Sequence, residues 1–305
     1  MKRRTIALVA VLGLLAGCGP TPSTPSDSSA ASFTPQFPAT AGGVTLTARP
    51  THIVSLSPTA TEMLYAMDAA GQVTAVDDQS NFPDNAPRTN LSGFKPDVEA
   101  IAAKNPDLVV ISEDTNKVKE QLTKLKIPVY QAPAARSLDD VYAQLRDLGT
   151  LTGQRPQADA VVQYVAEQIK QLVAALPKRT RPLTYYYELD PTLYTVTSKT
   201  FIGSLMTLAG LRNIADPADK TASGYPQLSQ EYLLQANPDL IFLADTVCCK
   251  QSLETVKARP GWAGLTAVSK GQVVALNDDI ASRWGPRVVD LLKAITDAVG
   301  AVPAS

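Results

Sequence analysis

Short apolar runs alternate along most of the chain with stretches whose apolar positions recur every three or four residues. The first kind of pattern predicts buried strands and the second predicts helices. In the first half, "HIVSL", "QVTAV", "DLVVIS" and "IPVYQA" read as strands, separated by helices beginning at Ser57-Pro58, at Asp97, near Asn116 and at Ser137. Ser57 suits an N-cap and Pro58 the first helical position; Asp97 and Ser137 are further caps, the latter with Asp140 three residues on. In the second half, "PLTYYYEL", "DLIFLA" and "QVVAL" read as strands, with helices beginning near Ser198, Ser229 and Pro286. Between the halves, Val161, Val165, Ile169, Leu172 and Leu176 keep helical spacing, and no Gly or Pro interrupts residues 157–176. At 1.5 Å per residue such a helix spans about 30 Å. The predicted fold is α/β: two Rossmann-like lobes, at 49–154 and 179–305, joined by one long helix over 155–178. A ligand cleft lies between them, outside the carboxyl ends of the strands.

One segment is written twice. "FKPDVEAIAAKNPDLVVI" (residues 94–111) matches "YPQLSQEYLLQANPDLIFL" (225–243), so that Glu99 falls on Glu231 and Asn105-Pro106-Asp107 on Asn237-Pro238-Asp239. Each glutamate lies in the first turn of its helix, where the dipole favours an anion by about 0.3–1 kcal/mol. The duplication gives them a second reading, as equivalent carboxylates able to meet equivalent basic sockets on a partner with two-fold symmetry.

The N-terminus carries an address. Lys2, Arg3 and Arg4 precede a short apolar run ending in Leu15-Ala16-Gly17-Cys18, the pattern of a lipoprotein signal. Residues 1–17 read as the signal peptide and Cys18 as the lipidated residue; loss of the three cations takes the net charge from −1 to −4. Several acyl chains hold a protein to a bilayer at about 0.8 kcal/mol per buried methylene. Residues 18–48, rich in Pro, Ser, Thr and Ala up to Gly43, read as a flexible tether. The mildly acidic balance argues against nucleic acid as a partner.

The chain offers little for catalysis. Its single histidine, His52, precedes the first strand and reads as structural, with ligation of a metal as the alternative. Zinc or manganese sites gather several His or carboxylate groups, so no metal site is assigned. No phosphate-loop, GxGxxG or GxSxG pattern occurs. Cys248 and Cys249 are adjacent, and in an oxidising compartment they form a strained vicinal disulfide or remain a thiol pair. Phe94 and Tyr225 stand at matching places in the repeat, and Trp284 lies in "NDDIASRWGPR". Across a cleft these three would grip a large flat ligand, with Arg283 and Asp78 at its polar edge.

Together, the lipobox, "IVSLSPTATEMLYAM", "AVDDQSNFP", "KPDVEAIAAKNPDLVVI", the long linker helix and "SRWGPRVVDLL" resemble the helical-backbone (cluster A-II, class III) substrate-binding proteins of ABC importers. The resemblance covers residue 50 to the C-terminus and is greatest to the cobalamin-binding members, which share the "SP..TE" of Ser57-Pro58 and Thr61-Glu62. It implies a monomer tethered to the extracytoplasmic face of a bacterial cell membrane. Its cargo would be a metal-containing cobalamin or siderophore complex, or haem, with no covalent cofactor beyond the lipid on Cys18. It implies docking of Glu99 and Glu231 on arginines of a permease dimer that works with an ATPase. It also places Ser57, Asp279 and Arg283 in the pocket, and siderophore binders add Arg or Tyr contacts, for which Tyr185, Tyr186, Tyr187 and Arg283 are candidates, Tyr187 foremost. Two other classes stay open: an exported α/β enzyme on a two-lobed scaffold, and a lipoprotein that kept the fold without a permease.

Overall fold

A computed structural model describes residues 33–303. A hairpin comes first, β1 (Ala39–Ala41) and β2 (Val44–Leu46). The N-terminal lobe then alternates β3 (Ile53–Leu56), α1 (Pro58–Ala66), β4 (Val73–Val76), α2 (Val98–Ala102), β5 (Leu108–Ile111), α3 (Val118–Lys124), β6 (Val129–Gln131) and α4 (Leu138–Thr152). Helix α5 (Arg155–Ala174) leads to the C-terminal lobe. There follow β7 (Thr184–Glu188), α6 (Phe201–Leu208), β8 (Arg212–Asn213), α7 (Gln230–Ala236), β9 (Leu240–Leu243), α8 (Leu253–Lys257), α9 (Thr266–Ser269), β10 (Val273–Ala275), α10 (Asp278–Ser282) and α11 (Val288–Ala301).

Each lobe is built on a parallel four-stranded sheet, in the order β4-β3-β5-β6 in the first and β10-β9-β7-β8 in the second. The central strands β3, β5 and β9 are buried at every residue, as expected of parallel strands covered on both faces. The main core runs from the N-terminal lobe along the inner faces of α5 and α11 into the C-terminal lobe, and a smaller cluster fills the other face of each sheet. Ala158, Val162, Val165 and Ile169 form the buried stripe of α5.

The repeated segment now has a physical meaning. Asn105 and Asn237 follow their helices in the left-handed region (φ 50° and 43°), which ends the helix, and the buried Pro106 and Pro238 prevent its continuation. Each aspartate then fastens the start of the neighbouring strand. Asp107 accepts the amides of Thr51 (2.7 Å) and His52 (2.9 Å), and Asp239 accepts the amide of Thr184 (2.9 Å) and two bonds from Arg181.

Three expectations shift. Residues 39–46 belong to the folded body and not to a tether running to 48: Ala39, Val44 and Leu46 are buried and β1 packs on α4. Gly42 (φ 54°) makes that turn, so close to Tyr130 that a Cβ would meet the ring at 2.2 Å. Helix α6 is capped by Thr200, whose hydroxyl accepts from the amide of Gly203, so it starts after Ser198. Helix α11 starts at Val288, two residues past Pro286.

Candidate functional site

The loops at the carboxyl ends of the strands carry most of the predicted contact residues. The loop after β4 ends at Phe94, which is 73% exposed. Gly93 makes this possible: the loop presses on the end of β3 so closely that a Cβ at Gly93 would lie 2.5 Å from the Leu56 carbonyl. In the C-terminal lobe, Asp219 accepts the amides of Ser223 and Gly224 and folds the loop that presents Tyr225, 52% exposed. The two aromatics therefore stand out one on each lobe, at matching points of the repeat. Asp78 is exposed on the first of these loops. Tyr194, 42% exposed on the loop after β7, is a further rim aromatic that the sequence did not single out.

Two expected contacts are corrected. Ser57 is buried, and its hydroxyl caps α1 by accepting the Ala60 amide. Tyr187 is fully buried in the sheet and its hydroxyl donates to the Ala281 carbonyl. Neither side chain is exposed in this conformation.

Asp279, Arg283 and Trp284 are brought together, but their polar groups are spent on the protein. Arg283 donates through Nη1 to Glu62 of α1 (2.9 Å) and through Nη2 to the Gln79 carbonyl (3.0 Å) and Asp279 (2.8 Å). The other oxygen of Asp279 accepts from Asn81 (2.7 Å). Arg287 donates through Nε to Glu62 (2.9 Å), is held charged most strongly by this bond, and stacks over Phe82 at 4.2 Å. Trp284 donates its indole N–H to Gln144 of α4. Arg283 is thus no free edge group as expected; it is a buried link between the lobes. Glu62, Asn81, Gln144 and Arg287 were missed as site residues because their partners lie 140 to 225 positions away. A cavity of about 400 Å³ opens between Ser137, Leu138 and Asp139 of one lobe and Ser198, Ser204, Thr207 and Leu208 of the other. Its size suits part of a ligand.

At the ends of β7 and β9 lies a second polar cluster, with two buried carboxyls and a partly exposed arginine. Glu188 takes two bonds of 2.6 Å from Arg259, which also stacks on Trp262 at 4.5 Å. Asp245 is buried alongside with neither carboxylate oxygen accepting a hydrogen bond, and burial, then the charge of Glu188, push its carboxyl up to about 7. Both carboxyls of this pair are 0% exposed.

The remaining predicted residues lie elsewhere. His52 sits at the amino end of β3, away from the loops at the carboxyl ends, beside Thr51 and Asp107. Cys248 and Cys249 are free thiols on the loop after β9, not a disulfide; contact with Cys249, then burial, push the Cys248 thiol up to about 12. Glu99 and Glu231 are exposed, each the second residue of its helix, α2 or α7. Cys18 lies outside the described residues. Among the described residues no helix is long and apolar enough to cross a membrane.

The fold agrees with comparisons to known proteins. A family described as periplasmic binding protein matches residues 53–280. An ABC transporter substrate-binding lipoprotein of Bacillus subtilis is 28% identical over 98% of both chains. The cobalamin-binding protein of Halobacterium salinarum is 30% identical over 84% of this chain and 71% of its own length. Among solved structures, the periplasmic heme-binding protein of Vibrio cholerae superposes with a TM-score of 0.71 at 21% identity, covering 81% of this chain and 97% of that one. The chain belongs to the periplasmic binding protein family. Its fold is that family's two-lobed α/β architecture.

Proposed function

We propose that this chain is the lipid-anchored, extracytoplasmic substrate-binding protein of an ABC importer, and that its cargo is cobalamin. The observation that carries the reading is the matched pair Phe94 and Tyr225, one exposed aromatic on each lobe, in a chain 30% identical to a cobalamin-binding protein. A broad macrocycle offers faces to such rings, and its amide-bearing rim would meet Asp78 and the backbone of the loops. Metal ligation by the protein plays no part in this scheme, since His52 lies at the wrong end of its strand.

Haem or a ferric siderophore is the second reading, favoured by the shared fold of a heme-binding protein and by phenyl and phenol rings at the two rim positions. Titration of the protein with cyanocobalamin, hemin and several ferric siderophores separates the two. Saturable 1:1 binding of cyanocobalamin, lost in the double variant Phe94→Ala/Tyr225→Ala, is expected. Tighter binding of hemin or a siderophore would transfer the assignment, and silence from every probe would end it.

Lipidation of Cys18 after removal of residues 1–17 would keep the protein at the membrane as a monomer, next to the permease dimer and its ATPase. Cys18→Ser should move it from the membrane fraction to the soluble fraction. Continued membrane association of that variant would count against the anchor.

A further inference from the structure

We propose that Glu62 is the positioning residue of the cleft: it latches the N-terminal lobe to the segment between the last strand and the last helix, and so sets the gap into which cargo fits. Glu62 projects from α1, is 3% exposed, and accepts from both Arg283 and Arg287. Around it donors and acceptors interlock across the boundary. The N-terminal lobe supplies Glu62, the Gln79 carbonyl and Asn81; the C-terminal segment supplies Arg283, Arg287 and Asp279. In the hydrogen-bonded cluster two carboxylates meet two guanidinium groups, and Asp77 and Asp290 act on the same two cations from nearby.

The latch is a second attachment between lobes already joined by α5. Opening the lobes on this side would break the bonds from Arg283 to Glu62 and the Gln79 carbonyl, from Arg287 to Glu62 and from Asn81 to Asp279 together. Motion of the lobes is then confined to what α5 and the latch both allow. The gap is preorganised, and cargo need not pay for closing it. That last step rests on the proposed function; the latch itself does not.

Amide hydrogen exchange on the full chain, without ligand, tests the latch. In Glu62→Gln, exchange at residues 77–82 and 279–287 should accelerate at least tenfold while β9 keeps its parental rate. Arg287→Lys, which retains the charge but loses the Nε bond, should fall between the two. If Glu62→Gln does not fold, Asp279→Asn is judged by the same criterion at residues 79–83, with a severalfold acceleration expected. Unchanged exchange in a folded variant, or equal acceleration in β3 and β9, would overturn the latch. With cyanocobalamin and hemin as probes, dissociation from Glu62→Gln should also be at least tenfold faster than from the parent. An unchanged dissociation rate alongside a loosened latch would overturn the positioning role. Failure of the parent to bind either probe, with the latch loosened as expected, would instead overturn the cargo assignment and leave the latch standing.

Discussion

Asp245 is a side chain whose charge the fold tolerates poorly. It is buried, neither oxygen accepts a hydrogen bond, and the cation beside it, Arg259, is committed to Glu188. Its carboxyl stands at about 7 in the folded chain against 3.8 ordinarily, from burial and then from Glu188. A raised carboxyl stabilises the folded state fully below about pH 4, and that stability is lost as pH rises through about 7. Thermal melts from pH 5 to 8 should therefore show Tm falling with pH, and Asp245→Asn should flatten the slope; an equal slope in the variant would refute this. Cys248 gives a second residue-level test. With its thiol at about 12, alkylation at pH 7.5 should be much slower than for a simple thiol, and intact mass should be the same with and without reductant. A two-hydrogen shift would reveal a bridge. Single residues were also where the sequence was hardest to read. Tyr185, Tyr186 and Tyr187 look like contact groups, but both faces of β7 are covered, and the hydroxyls of Tyr185 and Tyr187 are spent on Asn213 and Ala281.

Elements were legible where their signals are local. Ser57, Asp97, Ser137 and Ser229 each cap the helix that their position announces, and seven apolar runs became seven strands. What escaped has no such signal. Strand β8 has two residues, and the hairpin of β1 and β2 is a polar-looking stretch that becomes structure only by packing on α4 and Tyr130. Gly42→Ala should accordingly destabilise the chain by roughly 1–3 kcal/mol, since it adds overpacking to a positive φ. Chemical denaturation measures this, and a change under 0.5 kcal/mol, about the spread of neutral surface substitutions, would show the hairpin to be dispensable. Asp107→Ala and Asp239→Ala, each removing charged hydrogen bonds at a strand's start, should each cost about 1–3 kcal/mol in the same assay.

At the scale of the whole molecule, the repeat, the linker helix and the terminal motif together disclosed the two-lobed plan, because parallel α/β units carry their period in the sequence. The contacts between the lobes stayed hidden, since nothing near Glu62 marks Arg283 as its partner. Docking belongs to this scale too. Reversing Glu99 and Glu231 to Lys should abolish uptake of the cargo while its affinity for the isolated protein changes less than twofold, because both residues are exposed on short helices. Uptake at the parental level would remove the docking role.

Glu62 also bears on how the chain is made. It is synthesised early, yet the two guanidinium groups it needs arrive 221 and 225 residues later. Until then the half-built protein carries a carboxylate with no counter-charge in what will be its interior. Any product that ends before Arg283 keeps that fault for good, so truncated chains should be soft substrates for proteolysis even when most of both sheets is present. The segment that carries Arg283 and Arg287 thus acts as a certificate of completion for the first helix.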